Sequence, residues 1–244
     1  MSDSVMQKIS DEDLFKMPPP REDCPICFLR MPSLYTGQKY MTCCGQFICS
    51  GCVHANGRLT DDVKCAFCRT PRSTSGEKTL KRLRKRVEIN DPSAIYNLGC
   101  CYDDGGIGLP QDYLKAIELW HRAGELGVII GGFYALGTGV ERDVEKARHY
   151  LELAAINGDD TARYNLGILE KRECNMDRAL KHFMIAVECG HVDSLEQIKE
   201  LYTNGHAKKD DYTKALRAHQ TYLVEIRSDQ RDKAAAYDDQ YKYY

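Results

Sequence analysis

Eight cysteines between residues 24 and 68 constrain the fold of this chain more than any other feature of its sequence. Their spacing is C-x2-C-x15-C-C-x4-C-x2-C-x12-C-x2-C. A C-x2-C turn aims two thiolates at one point, so each of the three pairs can supply half of a tetrahedral zinc site. With the vicinal pair, eight thiolates fill two closed sites, which indicates two structural zinc ions. The predicted ligands are Cys24, Cys27, Cys43, Cys44, Cys49, Cys52, Cys65 and Cys68.

The start of the chain favours metal binding over disulfide bonding. Residues 1–20 are polar and lack the apolar stretch of a secretory signal, and no run of about 18 apolar residues predicts a membrane span. We therefore expect a soluble protein of the cytoplasm, with the nucleus as the alternative compartment. Paired cysteines bind metal there rather than oxidise. The formal net charge of −2 gives no overall attraction to nucleic acid, and we expect no such partner.

Composition divides the chain into five parts. A flexible N-terminal segment, 1–20, ends in three prolines and precedes a zinc-binding domain at 21–72. That domain is too small and polar to bury a sufficient core, so zinc would supply its folding free energy, on the order of 10 kcal/mol per ion. A linker helix is predicted at 73–90 and helical repeats at 91–227. The tail, 228–244, is expected to be a fraying helix end.

The cysteine-rich region resembles a RING finger. The resemblance rests on C-P-I-C at 24–27, C-G-x-x-x-C-x-x-C at 44–52 and C-x-x-C-R at 65–69. It implies an interleaved arrangement of ligands, whereas the spacing alone also allows a sequential one. The implied groups are Cys24, Cys27, Cys49 and Cys52 on one zinc, and Cys43, Cys44, Cys65 and Cys68 on the other.

Gln46 stands where the commonest RING pattern has a histidine ligand. Thiolate affinity favours Cys43 as the replacement, beside Cys44. Adjacent side chains of an extended strand point to opposite faces, so both thiols reach one metal only if the backbone turns, as Gly45 would permit. The alternative ligand is His54, with one of the two vicinal cysteines left as a packed thiol.

The RING resemblance also implies a function. RING fingers usually serve as the docking face of ubiquitin ligases and bind a ubiquitin-conjugating enzyme. By resemblance, Ile26 would contact the conjugating enzyme, and Arg69 would bridge that enzyme and ubiquitin. The chain departs from the family at Gln46 and at Ala66, where many active RING fingers carry proline.

Residues 91–227 repeat with a period in the mid-thirties. The units share A-x-x-x-L-G-x-x-Y, a glycine loop, D-x-x-K-A and a second helix that ends A-x-x-x-G. Small residues at these positions allow helices to approach closely. The recurrent aspartates are predicted at helix N-caps or first turns, and they are Asp112, Asp143, Asp177 and Asp211. The pattern resembles the Sel-one-like repeat, a relative of the tetratricopeptide repeat, which implies an α-solenoid with a concave binding face.

One repeat is shorter than the others. In VIIGGFYALGTGV, residues 128–140, about seven residues remain for the first helix of a pair. Gly131 and Gly132 each cost about 1 kcal/mol relative to alanine in a helix. We therefore expect a short or irregular helix there; a deletion relative to family members is the other interpretation.

Together these patterns predict a mainly α fold, with a small zinc-stabilised RING-like α+β domain followed by an α-solenoid of helix-pair repeats. Two functions fit. The first is a ubiquitin ligase whose RING recruits a ubiquitin-conjugating enzyme and whose solenoid binds a protein substrate. The second is a non-enzymatic scaffold for protein–protein interaction.

Overall fold

A computed structural model describes residues 9–19, 21–59, 64–128 and 143–244. The fold class is as predicted, mainly helical with one small strand pair in the cysteine-rich region. The chain divides into two compact units. We call residues 21–123 with 221–244 the cysteine unit, and residues 1–20 with 124–220 the repeat unit.

The described part of the chain contains one two-stranded hairpin, and its other regular elements are helices. Strand β1 (Gln38–Met41) pairs antiparallel with β2 (Gln46–Cys49), and Gln38 lies opposite Cys49. The helices in chain order are α1 (Asp11–Leu14), α2 (Ser50–Leu59), α3 (Gly76–Glu88), α4 (Pro92–Asp104), α5 (Tyr113–Glu125), α6 (Val144–Ile156), α7 (Asp160–Arg172), α8 (Met176–Cys189), α9 (Asp193–Thr203), α10 (Lys209–Ile226) and α11 (Asp229–Tyr237). Short 3-10 turns occupy Tyr35–Gly37 and Asp239–Tyr241.

Glycine permits close packing within the helix pairs, as the sequence predicted. In the cysteine unit, a β carbon added to Gly99 of α4 would lie 2.6 Å from Trp120 Nε1 of α5. In the repeat unit, a β carbon on Gly167 of α7 would lie 2.5 Å from Phe183 Cε1 of α8. In each pair, an aromatic ring of the second helix therefore packs directly against the glycine backbone of the first helix.

The recurrent aspartates lie where helix starts were predicted. The Oδ1 atoms of Asp112 and Asp143 each accept a bond from a backbone N–H three residues later, both at 3.0 Å. Asp177 lies in the first turn of α8 and Asp211 in that of α10. The carboxylates of Asp112 and Asp143 satisfy free N–H groups, and all four aspartates complement the helix dipole.

The tail differs from the expected fraying helix end. Residues 229–241 form α11 and a 3-10 turn, and Tyr243 is only 1% exposed. Tyr243 packs with Tyr222 and Ile226 of α10, so apolar burial holds a stretch whose sequence is mostly polar.

The short helix expected within residues 128–140 falls almost wholly outside the described residues. No helix in the described ranges is long and apolar enough to cross a membrane.

Candidate metal centre

Residues 23–30 and 64–71 fold into two similar cysteine turns. In the first, the Cys24 N–H donates to Leu29 O at 2.9 Å, and the Phe28 N–H donates back to Cys24 O at 2.8 Å. The equivalent bonds of the second turn measure 2.8 and 3.1 Å. The residue after the second cysteine is left-handed in both turns, with φ of 56° and 59°. The C-x2-C spacing thus encodes the same local geometry twice.

A third turn brings the vicinal cysteines together. Met41 O at the end of β1 accepts bonds from the N–H groups of Cys44, at 3.1 Å, and Gly45, at 2.7 Å. Gly45 has φ of 74°, a conformation that glycine adopts without steric cost. The backbone therefore turns where an extended strand would have separated the Cys43 and Cys44 thiols.

These turns, together with Cys49 at the end of β2 and Cys52 in α2, bring the eight thiols into two quartets. The first quartet is Cys24, Cys27, Cys49 and Cys52, and the second is Cys43, Cys44, Cys65 and Cys68; within each, all Sγ atoms lie within 4.8 Å of one another. The Sγ distances include 3.8 Å for Cys27–Cys49, 3.9 Å for Cys44–Cys65 and 3.4 Å for Cys43–Cys68. A tetrahedron with Zn–S bonds of about 2.3 Å has edges of about 3.8 Å. The quartets can therefore hold two zinc ions.

Within the part of the chain that the structure describes, His54 belongs to neither quartet. Its ring lies 4.9 Å from the ring of Tyr237 and 5.5 Å from that of Tyr241, in an aromatic cluster between α2 and the C-terminal residues. The geometry therefore favours Cys43 over His54 as the partner of Cys44.

The chemistry of the donor set also fits a divalent cation. Burial raises the pKa of Cys44 to about 11, and burial together with the neighbouring Cys68 and Cys65 thiols raises the pKa of Cys43. The vicinal thiols of Cys43 and Cys44 thus resist ionisation on their own, whereas a bound metal deprotonates coordinating thiols. Four soft sulfur ligands in a closed tetrahedron are typical of structural zinc.

The C-terminal helix covers the first quartet. Arg231 of α11 is fully buried, and its Nη1 donates to the carbonyls of Arg30, at 2.9 Å, and Ile226, at 2.6 Å. Its Nη2 lies 3.9 Å from Cys27 Sγ, so the guanidinium faces a predicted metal ligand. Sequence reasoning missed this residue, because it lies in the polar stretch SDQRDK, far in sequence from its partners.

The linker helix packs beside the second quartet. Arg86 of α3 lies against the backbone of Gly45, where an added β carbon would clash with its guanidinium. Arg86 pairs with Asp91 at 2.9 Å, and Asp91 also accepts a bond from the Tyr40 hydroxyl at 2.7 Å. This small network joins the β hairpin, α3 and the start of α4, since Asp91 is also the N-cap of α4.

The two residues predicted to contact partners lie on the cysteine turns. Ile26 in the first turn is 36% exposed. Arg69 in the second is exposed, and its Nη1 lies 3.5 Å from Asn56 Oδ1 of α2. Phe28 and Phe67, also on these turns, are exposed as well. The turns thus present apolar and basic side chains to solvent.

Comparison with curated proteins gives a partial match. The chain is similar to the ERAD-associated E3 ubiquitin-protein ligase component HRD3B of Arabidopsis thaliana, with 34% identity over 101 residues. The match covers 41% of this chain and 16% of that protein.

Solved structures match over a larger share of the chain. A Sel1 repeat protein from Oxalobacter formigenes is 30% identical, with a TM-score of 0.50 over 60% of this chain and 64% of that one. The antigen c5321 of uropathogenic Escherichia coli, with an SLR fold, is 23% identical, with a TM-score of 0.51 over 64% of this chain and 35% of that one. The second likeness supports the fold alone.

Family models give different results for the cysteine-rich region and for the helical repeats. No RING family model matches the cysteine-rich region. The Sel1 repeat model matches residues 92–128 and 130–159, so the predicted Sel-one-like repeats are confirmed: this chain contains Sel1 repeats.

Proposed function

We propose that this chain is a RING-type ubiquitin ligase that recruits a charged ubiquitin-conjugating enzyme through its cysteine turns. The observation that carries the proposal is the pair of interleaved thiol quartets, because their grouping is the one the RING resemblance implies. Zinc in both quartets would fix the turns and take no part in the chemistry, since closed sites leave no coordination position for water or substrate.

The docking face would be formed by exposed side chains of the cysteine turns. Ile26 offers an apolar contact for the conjugating enzyme, and Arg69 offers a cation where enzyme and ubiquitin meet. With every cluster thiol committed to metal, no cysteine there serves as a nucleophile. Ubiquitin therefore passes from the conjugating enzyme to the substrate directly, and rate enhancement comes from orientation of the thioester.

The Sel1 repeats would bind the protein substrate. The matched relative HRD3B is named as a component of a ubiquitin ligase, which supports this role. The same name also supports a second candidate, a non-enzymatic ligase component or scaffold. The packing of α11 against α2 favours that candidate, because it commits part of the cysteine unit's surface to an intramolecular contact.

The test is discharge of a ubiquitin thioester to free lysine across a broad panel of conjugating enzymes. We expect the wild-type chain to accelerate discharge from at least one enzyme. Ile26→Ala should weaken docking with zinc retained, whereas Arg69→Ala should slow discharge more than it weakens docking.

Ile89→Ala and Arg84→Ala are the matched controls, because both residues are exposed on α3 or at its end. Acceleration of no enzyme in the panel would reject the ligase and leave the scaffold. Equal losses in the controls would reject the assigned docking face.

A further inference from the structure

Within the repeat unit, residues near the N-terminus pack against helices α6 and α7. Leu14 is 2% exposed and packs in one cluster with Leu151, Ala155 and Leu166 of α6 and α7. Ile9 packs against the same cluster, and Pro18 is also buried. Residues 9–19, which we call the N-terminal segment, thus bury apolar side chains against α6 and α7.

A buried arginine recognises the backbone of the segment. Arg163 of α7 is 1% exposed and donates through Nη1 to the carbonyl oxygen of Leu14. Its Nη2 donates to Ala155 O at 3.0 Å, which fixes the guanidinium in place. A bond to a main-chain carbonyl depends on the backbone conformation of the bound peptide and not on the identity of one side chain.

Cations recognise the acidic turn and the aromatic ring. Arg178 pairs with Asp11 at 2.5 Å, and its guanidinium lies 4.9 Å from the centre of the Phe15 ring. Lys181 Nζ lies 5.1 Å from the same ring. Glu12 and Asp13 add negative charge to the same short helix, so the segment and its surface are complementary in charge.

An imidazole lies beneath this ring. His182 is completely buried, its ring centre lies 4.7 Å from that of Phe15, and neither ring nitrogen has a hydrogen-bond partner among the described residues. A buried polar group without a partner is unfavourable, and an apolar residue would serve a permanent core better. The unpartnered ring points to an occupant that leaves.

Among the described residues, no backbone–backbone hydrogen bond joins the segment to the helices beneath it. The segment pairs with no strand, its helix has only four residues, and Arg163 and Arg178 hold it through their side chains. Covalent attachment raises the effective concentration of such a peptide, so even a weak site stays occupied until a competing ligand binds.

We propose that this surface binds a partner protein through a short acidic turn followed by Leu-Phe, and that the N-terminal segment occupies the site in its absence. The surface consists of Leu151, Ala155, Arg163, Leu166, Arg178 and His182. This inference extends the substrate-binding part of the proposed function and names a class of substrate. Its test measures binding alone, so its failure is distinguishable from an absence of ligase activity.

The probe is a fluorescein-labelled peptide of residues 9–19, ISDEDLFKMPP, and fluorescence anisotropy reports its binding. The full-length double variant Leu14→Ser, Phe15→Ser should release its own segment and bind the probe at least tenfold more tightly than wild type does. Adding Arg178→Gln to that variant should weaken binding at least fivefold. Lys171→Gln is the matched control, because Lys171 pairs with Glu200 away from this surface.

Hydrogen exchange of the wild-type chain gives an independent measurement should the double variant not fold. Excess probe peptide should accelerate exchange at residues 9–16. Failure of the probe to bind the folded variant, equal weakening by both glutamine substitutions, or unchanged exchange would overturn the proposal. A wild-type dimer that the peptide dissociates would also overturn it, because the occupant would then be a second copy of this chain.

Discussion

The cysteine unit and the repeat unit each hold a terminal segment with a buried arginine, yet their cores differ. Arg231 ties the C-terminal residues to the first cysteine turn, and Arg163 ties the N-terminal segment to α7. The buried cluster around the quartets consists mostly of cysteines, with Met31 and Ile48. The clusters of the repeat unit consist of alanine, leucine, isoleucine, valine and phenylalanine.

The difference in core composition indicates that the quartets and the stacked helices depend on different sources of free energy. Thiols arranged for coordination contribute little by packing alone, so we expect the cluster around the quartets to need metal for its stability. Stacked helices bury enough apolar surface without a cofactor.

Metal removal should have the largest effect. Chelation should cost on the order of 10 kcal/mol per zinc and expose amides at 21–72 to hydrogen exchange. Because α11 packs on α2, residues 229–237 should lose protection with them. Residues 144–203 should stay protected; their simultaneous loss would contradict independent sources of stability.

Removal of the C-terminal arginine should have the next largest effect. Arg231→Ala deletes the bonds to the Arg30 and Ile226 carbonyls and should cost about 3 kcal/mol, because charged hydrogen bonds contribute about 1.5–3 kcal/mol each. Zinc should also leave faster on addition of a colorimetric chelator, since the guanidinium faces Cys27 Sγ. The control Lys233→Ala, exposed on the same helix, should change neither quantity. A matching loss in both variants would refute a specific role for Arg231.

Adding one methyl group should affect the two units in opposite directions. Gly167→Ala forces a β carbon against Phe183 and should destabilise the repeat unit by about 1–3 kcal/mol in denaturant unfolding. A β carbon added at Gly57, in α2 of the cysteine unit, would have no neighbouring atom within 4 Å. Gly57→Ala should therefore stabilise the cysteine unit by about 0.5–1 kcal/mol. Stabilisation by Gly167→Ala would show that the helix pair packs less closely than described.

Acidification should weaken the repeat unit gradually. Burial, reinforced by Arg163, Arg178 and Arg148, lowers the pKa of His182 to about 3. An unfolded histidine has a pKa of about 6.5, so the neutral ring's contribution is fully present above that pH and is lost as pH falls toward 3. The loss should reach about 1.4 kcal/mol per pH unit at most.

Denaturant unfolding at pH 7, 6 and 5 measures this slope. His182→Leu removes the titrating group, so the variant should lose less stability than wild type over that interval. Parallel curves for the two proteins would mean that His182 is accessible to protons in the folded chain.

Local patterns made part of this structure predictable. The C-x2-C spacing anticipated the two cysteine turns, and the repeat anticipated both the glycine contacts and the aspartates at helix starts. These features depend on residues close in sequence or on a repeated unit. The grouping of thiols across turns is a long-range property, and only the RING resemblance indicated it.

The two terminal segments escaped prediction for a physical reason. The first was expected to be flexible and the second to fray, because each is mostly polar and has few apolar anchors. Their partners are distant in sequence: Arg163 and Leu14 are 149 residues apart, and Arg231 and Arg30 are 201 apart. A buried arginine produces no periodic pattern in the sequence, because the carbonyl groups that stabilise it come close only in the folded chain.

Native mass spectrometry measures directly how many zinc ions the two quartets hold. We expect two zinc ions per wild-type chain, one after Cys24→Ser or Cys44→Ser, and two after His54→Ala, because each quartet would be a separate closed site. Fewer than two ions on the wild-type chain would contradict two separate zinc sites. So would loss of a zinc ion from His54→Ala with full retention in Cys43→Ser.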